Sequence, residues 1–208
     1  MFWGKPRQSY FSNEMDQIQK TLASWKGKSI SMDGHIFLIR HVVISKVVYS
    51  FMVYIWPASI YKNLNTTLKK FVWSGNIMER MIFTSQWKKC CIPYSMGGLG
   101  IKNLNAFNQS LLAKFVWKLI YQKSSALDFL RNLFMARLID GKNSYLESSI
   151  WPGFKASFQK ILSHSKWMVS KNSFLRFWYD NWTGYPLISH INLEDNQIDH
   201  TITIKEKL

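Results

Sequence analysis

Acidic residues are scarce in this 208-residue chain: 12 Asp and Glu stand against 27 Lys and Arg, for a formal net charge of +15. The shortage is uneven. Residues 1 to 124 hold 17 basic and 4 acidic side chains, a balance of +13, while residues 125 to 208 hold 10 and 8, a balance of +2. A folded segment with such a surplus suits a polyanionic partner, because each Lys or Arg set on a phosphate releases condensed counterions and strengthens binding at low salt. A solvated surface, or attraction to anionic lipid, would account for the same charge.

Cysteine is scarcer still. Cys90 and Cys91 are the only two; their adjacency makes a mutual disulfide sterically awkward and offers no ligand spacing for zinc. His35, His41, His164, His190 and His200 are scattered along the chain, so neither a metal site nor a cofactor is expected, and a reducing compartment follows. The N-terminal stretch MFWGKPRQSYF lacks the apolar core of a secretory signal. There is no internal repeat and no low-complexity segment. The most apolar run, IFLIRHVVISKVVYSFMVYIWP at 36 to 57, is interrupted by Arg40, His41 and Lys46. Those residues are costly in lipid, which favours a buried core helix over a transmembrane segment.

What the chain does have is apolar and aromatic bulk, 47% and 16% of its residues, enough for one or two small folded domains. Met15, Ile18, Leu22 and Trp25 draw one apolar stripe on a helix that Gly27 can stop. Ser31 can cap a second helix running to about Trp56, with Pro57 beyond it. Ile60, Leu64, Leu68 and Phe71 continue on a third, ending at Gly75. These three predict a helical bundle layer with the second helix at its centre. After a connector at 81 to 101, Leu104, Phe107, Leu111, Phe115 and Leu119 predict a helix capped by Asn103 or Asn105. Another follows from Ser125, where Ser125 and Asp128 stand at capping-box spacing, with a short one carrying Trp151, Phe154, Phe158 and Ile161. The stretch WMVSKNSFLRFWYDNW reads as a small β-hairpin about its SKN break. The fold class is therefore mainly α: a basic, thumb-like helical region at 1–124, an α+β connector with a short hairpin at 125–190, and a weakly structured tail at 191–208.

Taken in order, LASWKGKSISMDGHIFLIRHVV, FMVYIWPASI, LKKFVWSG, WKKCCIPYSMGGLGIKNLNAFNQSLLAKFVWKL and SSIWPGFK with KNSFLRFWYDNW resemble one family over about residues 4 to 190. It is the thumb and connection region of plant LINE-type, non-LTR retrotransposon reverse transcriptases, downstream of the palm and upstream of the reverse-transcriptase zinc-binding domain. The resemblance implies a fragment of an RNA-directed DNA polymerase, an RNA or DNA template-primer as partner, and a nuclear location. The palm hallmark, paired aspartates that hold two metal ions for phosphoryl transfer, has no counterpart, since the chain contains no Asp-Asp pair. The isolated chain is accordingly expected not to be an enzyme, and its protein partners are unknown. Two motifs depart from the family: Ser170-Lys171-Asn172 replaces the usual Gly-Asn-Gly turn, and Gly34-His35 replaces the usual Gly-Arg. Both suit a decaying element.

Candidate phosphate contacts are Lys26, Lys28, Arg40, Lys69, Lys70, Lys88, Lys89, Lys102 and Lys114. Trp25, Trp56, Trp73, Trp87, Trp117, Trp151 and Trp178 are able to stack on unpaired bases, although most stand on apolar stripes, where core packing is the better reading. Ser163-His164 and Ser189-His190 place a hydroxyl beside an imidazole without a third orienting group, so no hydrolase is expected. Asp180 reads as a turn residue bonding its own backbone. The glycines of SMGGLGIK invite comparison with a phosphate loop, but Gly100 is followed by Ile101, Lys102 and Asn103 rather than by Lys and Ser or Thr. A permissive turn that packs Leu99 and Ile101 inward fits better. The competing function is that of a non-catalytic helical module whose basic and aromatic surface binds a protein partner or an anionic membrane.

Overall fold

The first helix, α1 (Ser12–Ser24), follows a 3-10 turn at Gln8–Phe11 and buries Ile18 and Leu22 one helical turn apart. These elements belong to a computed structural model, which describes residues 4, 6–25, 27–79, 86–122, 124–139, 148–170, 175–190 and 202–207. Ser31 caps α2 (Met32–Leu38) by accepting the Gly34 backbone N–H at 3.3 Å. The helix does not then run uniformly to Trp56. It widens into a π turn at Ile39–Val43 before resuming as α3 (Ile44–Val53), and extended backbone at Tyr54 ends it. α4 (Ala58–Ser74) begins after Pro57 and stops where Gly75 turns left-handed at φ 66°. α5 (Trp87–Cys90), α6 (Leu104–Tyr121), α7 (Ser125–Ile139) and α8 (Trp151–His164) follow.

The Met32–Val53 helix is long and apolar enough to cross a membrane by length and composition. In the fold its buried stripe of Ile36, Ile39, Val43, Ile44, Val47 and Phe51 forms the middle of the core. α2 packs on α4, and α3 lies along α6. Phe51 meets Trp56 edge-on, with ring centroids 4.8 Å apart, a contact contributing about 1 kcal/mol beyond area burial.

Two buried polar side chains tie these helices together. His35 places Nδ1 3.0 Å from the Val72 carbonyl and Nε2 2.8 Å from the Gly27 carbonyl, with its ring 4.8 Å from that of Phe71. Carbonyls only accept, so the imidazole donates, serving an open carbonyl in the last turn of α4. The backbones of Gly27 and Gly75 touch beneath it: a Cβ on Gly27 would stand 2.1 Å from the Gly75 oxygen. Asn108, fully buried, donates to Phe51 O at 2.7 Å and Tyr54 O at 2.9 Å, and accepts from Tyr61 Oη at 2.6 Å. It fastens α6 to the end of α3 and to α4.

Asn108 also corrects the expected core face of α6. The side chains that are buried are Leu104, Asn108, Leu112, Val116 and Leu119, while Phe107, Leu111 and Phe115 are half-buried. The face is turned by one residue from the apolar stripe because a polar residue with satisfied hydrogen bonds occupies its centre. At the other side of α6, Phe134, Trp151 and Phe154 form an aromatic cluster with centroids 5.0–5.8 Å apart.

The chain divides into two compact units, Met1–Phe158 and Gln159–Leu208. In the second unit the expected β-hairpin is not observed: the described residues of 167–182 carry no strand, and residues 171–174 of the break lie outside the described part. The Asp180 carboxylate accepts the Arg176 backbone N–H at 2.7 Å, and Trp182 Nε1 donates to Phe177 O at 2.8 Å. These bonds fold the run into turns in place of a ladder. Arg176 instead makes an isolated antiparallel bridge with Thr203. Flanking bonds from Phe177 N to Ile202 O and from Ile204 N to Leu175 O seat Ile204 in the interior. A short helix, α9 (Ile204–Lys207), follows.

Candidate nucleic-acid interface

On α4 the polar residues Lys62, Asn65, Thr66 and Lys69 recur at helical spacing and form a stripe beside the buried one. α5 lies against it, fixed by a hydrogen bond of 3.0 Å from Trp87 Nε1 to Asn65 Oδ1. The N-terminus of α6 closes the third side, where Asn103 accepts the N–H groups of Asn105 and Ala106 at 3.1 and 3.2 Å. Together these elements enclose a cleft of about 510 Å³, lined by Lys62, Asn65, Thr66, Lys69, Trp87, Lys88, Asn103 and Asn105, with Tyr61 and Cys91 also on its wall. Among the described residues no carboxylate lines it, and α4, α5 and α6 contain no Asp or Glu. Between Asp33 and Asp128 the chain has one acid, Glu79, and that one pairs with Lys28 at 2.6 Å.

The wall groups are neutral. Burial, and then neighbouring Cys90, push the Cys91 thiol up to about 11, which makes it a poor nucleophile at neutral pH. Burial likewise raises the Tyr61 phenol, partly offset by a backbone hydrogen bond from Trp56. The field of the cleft is therefore that of its lysines and of the positive end of α6.

A second cleft of about 590 Å³ shares Cys91 with the first and adds Arg40, His41, Tyr94 and Lys102. Here the π turn and the glycine turn meet. Arg40 Nη2 donates to the Leu99 carbonyl at 2.6 Å, with the guanidinium 4.5 Å from the Tyr94 ring. Gly100, at φ 58°, leaves room for it; a Cβ there would stand 2.1 Å from Nη2. Gly98 passes so close to Ile92 that a Cβ would lie 2.0 Å from its carbonyl oxygen. Ile101 is buried and Leu99 partly so, as the permissive-turn reading expects.

Lys69 and Lys88 share the first cleft, and Lys102 and Arg40 the second. Lys102 also sets its ammonium 4.3 Å from the Phe107 ring. Lys28 is exposed but paired with Glu79. Lys70 is half-buried and does not line the first cleft; Lys89 and Lys114 are exposed. Lys26 lies outside the described residues. Sequence reasoning passed over Lys62, Asn65 and Thr66, whose signal was their spacing with Lys69. Among the tryptophans, Trp56 and Trp151 are buried and Trp25, Trp73, Trp87 and Trp178 half-buried. Trp117 departs from the core reading with 47% exposure. Ser163 Oγ and His164 Nδ1 lie 2.9 Å apart, and both turn to the Lys160 carbonyl, a helix-end arrangement. Ser189 and His190 have no described side chains, and Glu194 and Asp195 lie outside the described residues. Among the described residues no three His, Cys, Asp or Glu side chains are grouped to hold a metal ion.

The chain is similar to two Arabidopsis thaliana proteins. One is named "Putative ribonuclease H protein" and is 26% identical over 205 residues, which is 94% of this chain and 33% of that protein. The other, an uncharacterized mitochondrial protein, is 28% identical over 131 residues, 58% of this chain and 81% of that protein. The chain thus spans about a third of the length of the ribonuclease H relative. No protein-family model matches the chain, and no solved structure does.

Proposed function

We propose that this chain is a thumb-like segment of a retrotransposon reverse transcriptase that binds nucleic acid without regard to sequence and performs no polymerase chemistry itself. The observation that carries the reading is the convergence of Lys62, Lys69 and Lys88 on one cleft built by three helices free of acid. Lysines gathered on one wall hold phosphates, and Asn65, Thr66 and Asn105 add neutral donors that position a backbone without reading bases. The ordered motif resemblance supports the same reading, as does a relative whose name is that of a nucleic-acid enzyme. The absence of an Asp-Asp pair supports the non-catalytic part. A nuclear location belongs to the same proposal.

Binding of a labelled primer-template duplex, measured across a salt series, tests it. Three lysine-phosphate contacts give a log-log salt slope of about −2.7. Replacing Lys62, Lys69 or Lys88 by Ala lowers the slope by about 1 each, uniformly across duplex sequences. Affinity that is absent at low salt, or flat as salt rises, would refute the proposal.

A further inference from the structure

We propose that the solvent face of the C-terminal half of α6 is a platform on which single-stranded nucleic acid stacks its bases. With Leu104, Asn108, Leu112, Val116 and Leu119 buried, the helical period turns Lys114, Trp117, Lys118 and Tyr121 to the opposite side. Trp117 is 47% and Tyr121 44% exposed, and their rings pack together with centroids 4.3 Å apart. The two rings are tilted 46° to one another, so each offers its own face, and two large aromatic faces side by side on a solvent surface give successive unpaired bases places to stack. Lys114 and Lys118, both exposed, stand beside the rings where the phosphates of a stacked strand run. No carboxylate on α6 opposes them.

The end of the helix is prepared in the same sense. Open carbonyls at a helix C-terminus repel phosphate, but Arg131 covers them, donating from Nε to Leu119 O at 2.8 Å and from Nη2 to Gln122 O at 2.7 Å. Its remaining nitrogen, Nη1, holds Asp128, the nearest acid in sequence, in an ion pair. Charge complementarity therefore selects a polyanion, and the exposed rings select one whose bases are unpaired. A duplex hides its base faces; an overhanging single strand presents them. The inference rests on the reading of the chain as a nucleic-acid binder, but it uses a surface separate from the cleft at the start of α6.

The test is fluorescence anisotropy of a labelled oligothymidylate and, in parallel, of a blunt duplex, with the full chain and its variants. Trp117→Ala and Tyr121→Ala should each weaken single-strand binding about 5- to 100-fold and leave duplex affinity within about twofold, whereas Trp117→Phe retains single-strand binding. Trp117→Leu keeps apolar bulk without a ring, and should behave like the alanine variant. Single-strand affinity unchanged in the Ala variants overturns the platform while leaving the cleft standing; loss of duplex binding in the cleft lysine variants is read independently. Equal retention by Leu and Phe, or binding of anionic phosphatidylserine vesicles by the wild type without oligothymidylate binding, also overturns it. Both rings are exposed, so unchanged circular dichroism is expected, and Trp117→Phe supplies a folded control.

Discussion

Asn108 ties three segments of the fold together, because four polar groups converge on its amide. Asn108→Leu removes the amide bonds to the Phe51 and Tyr54 carbonyls and the acceptor of the Tyr61 hydroxyl, and should lower unfolding stability by about 2–4 kcal/mol in a urea titration. His35→Leu removes the imidazole's buried donor from between the Val72 and Gly27 carbonyls and is expected to cost about 1–3 kcal/mol by the same measurement. Cys91 is a quieter residue with a sharp signature. A thiol raised from 9.0 to about 11 holds about 100-fold less thiolate at pH 8 than an ordinary one. Iodoacetamide should therefore label native Cys91 slowly at pH 8, faster as pH climbs toward 11, and quickly once the chain is unfolded. The sign for stability follows. The raised group favours the fold fully below the unfolded value near 9, and that contribution is lost as pH rises through about 11.

Among the elements, the long apolar helix and the glycine turn explain one another. A uniform α-helix from Ser31 was the expectation; the π turn at Ile39–Val43 interrupts it where Arg40 reaches the Leu99 carbonyl. Such turns concentrate at sites with a task, and here the task is to hold the loop that leads into Lys102 and the Asn103 cap. Gly98→Ala would drive a methyl into the Ile92 carbonyl and should cost about 1–3 kcal/mol in thermal or chemical unfolding. The loop lines the second cleft through Pro93, Tyr94, Gly100 and Ile101. Helix α1 stops at Ser24 with extended backbone at Trp25 and not at Gly27, whereas the caps at Ser31 and Asn103 and the stop at Gly75 were legible, because capping and left-handed turns are local chemistry. The face of α6 was not, because a buried, satisfied Asn cannot be told from an exposed one by pattern alone.

For the whole molecule, charge is the dominant property. With +13 concentrated in residues 1 to 124, like-charge repulsion works against the compact state. Raising salt from about 20 to 150 mM shortens the Debye length to about 8 Å, so the melting temperature should rise by a few degrees over that range. On the proposed nucleic-acid reading, duplex in excess over the chain should raise it further through binding to the native state alone. A melting temperature that falls with salt would show that attractive pairs such as Lys28–Glu79 outweigh the repulsion.

The sequence alone determined the helical class, most helix ends, the basic surplus and the resemblance to retrotransposon reverse transcriptases, because periodicity, capping and composition are properties of neighbours along the chain. Tertiary structure decided which lysines share a cleft. Lys62 and Lys88 are 26 positions apart and become one site only when Trp87 docks on Asn65. It decided, too, that Trp117 faces solvent and Arg40 faces a carbonyl, since exposure and partnership depend on what packs from elsewhere in the chain.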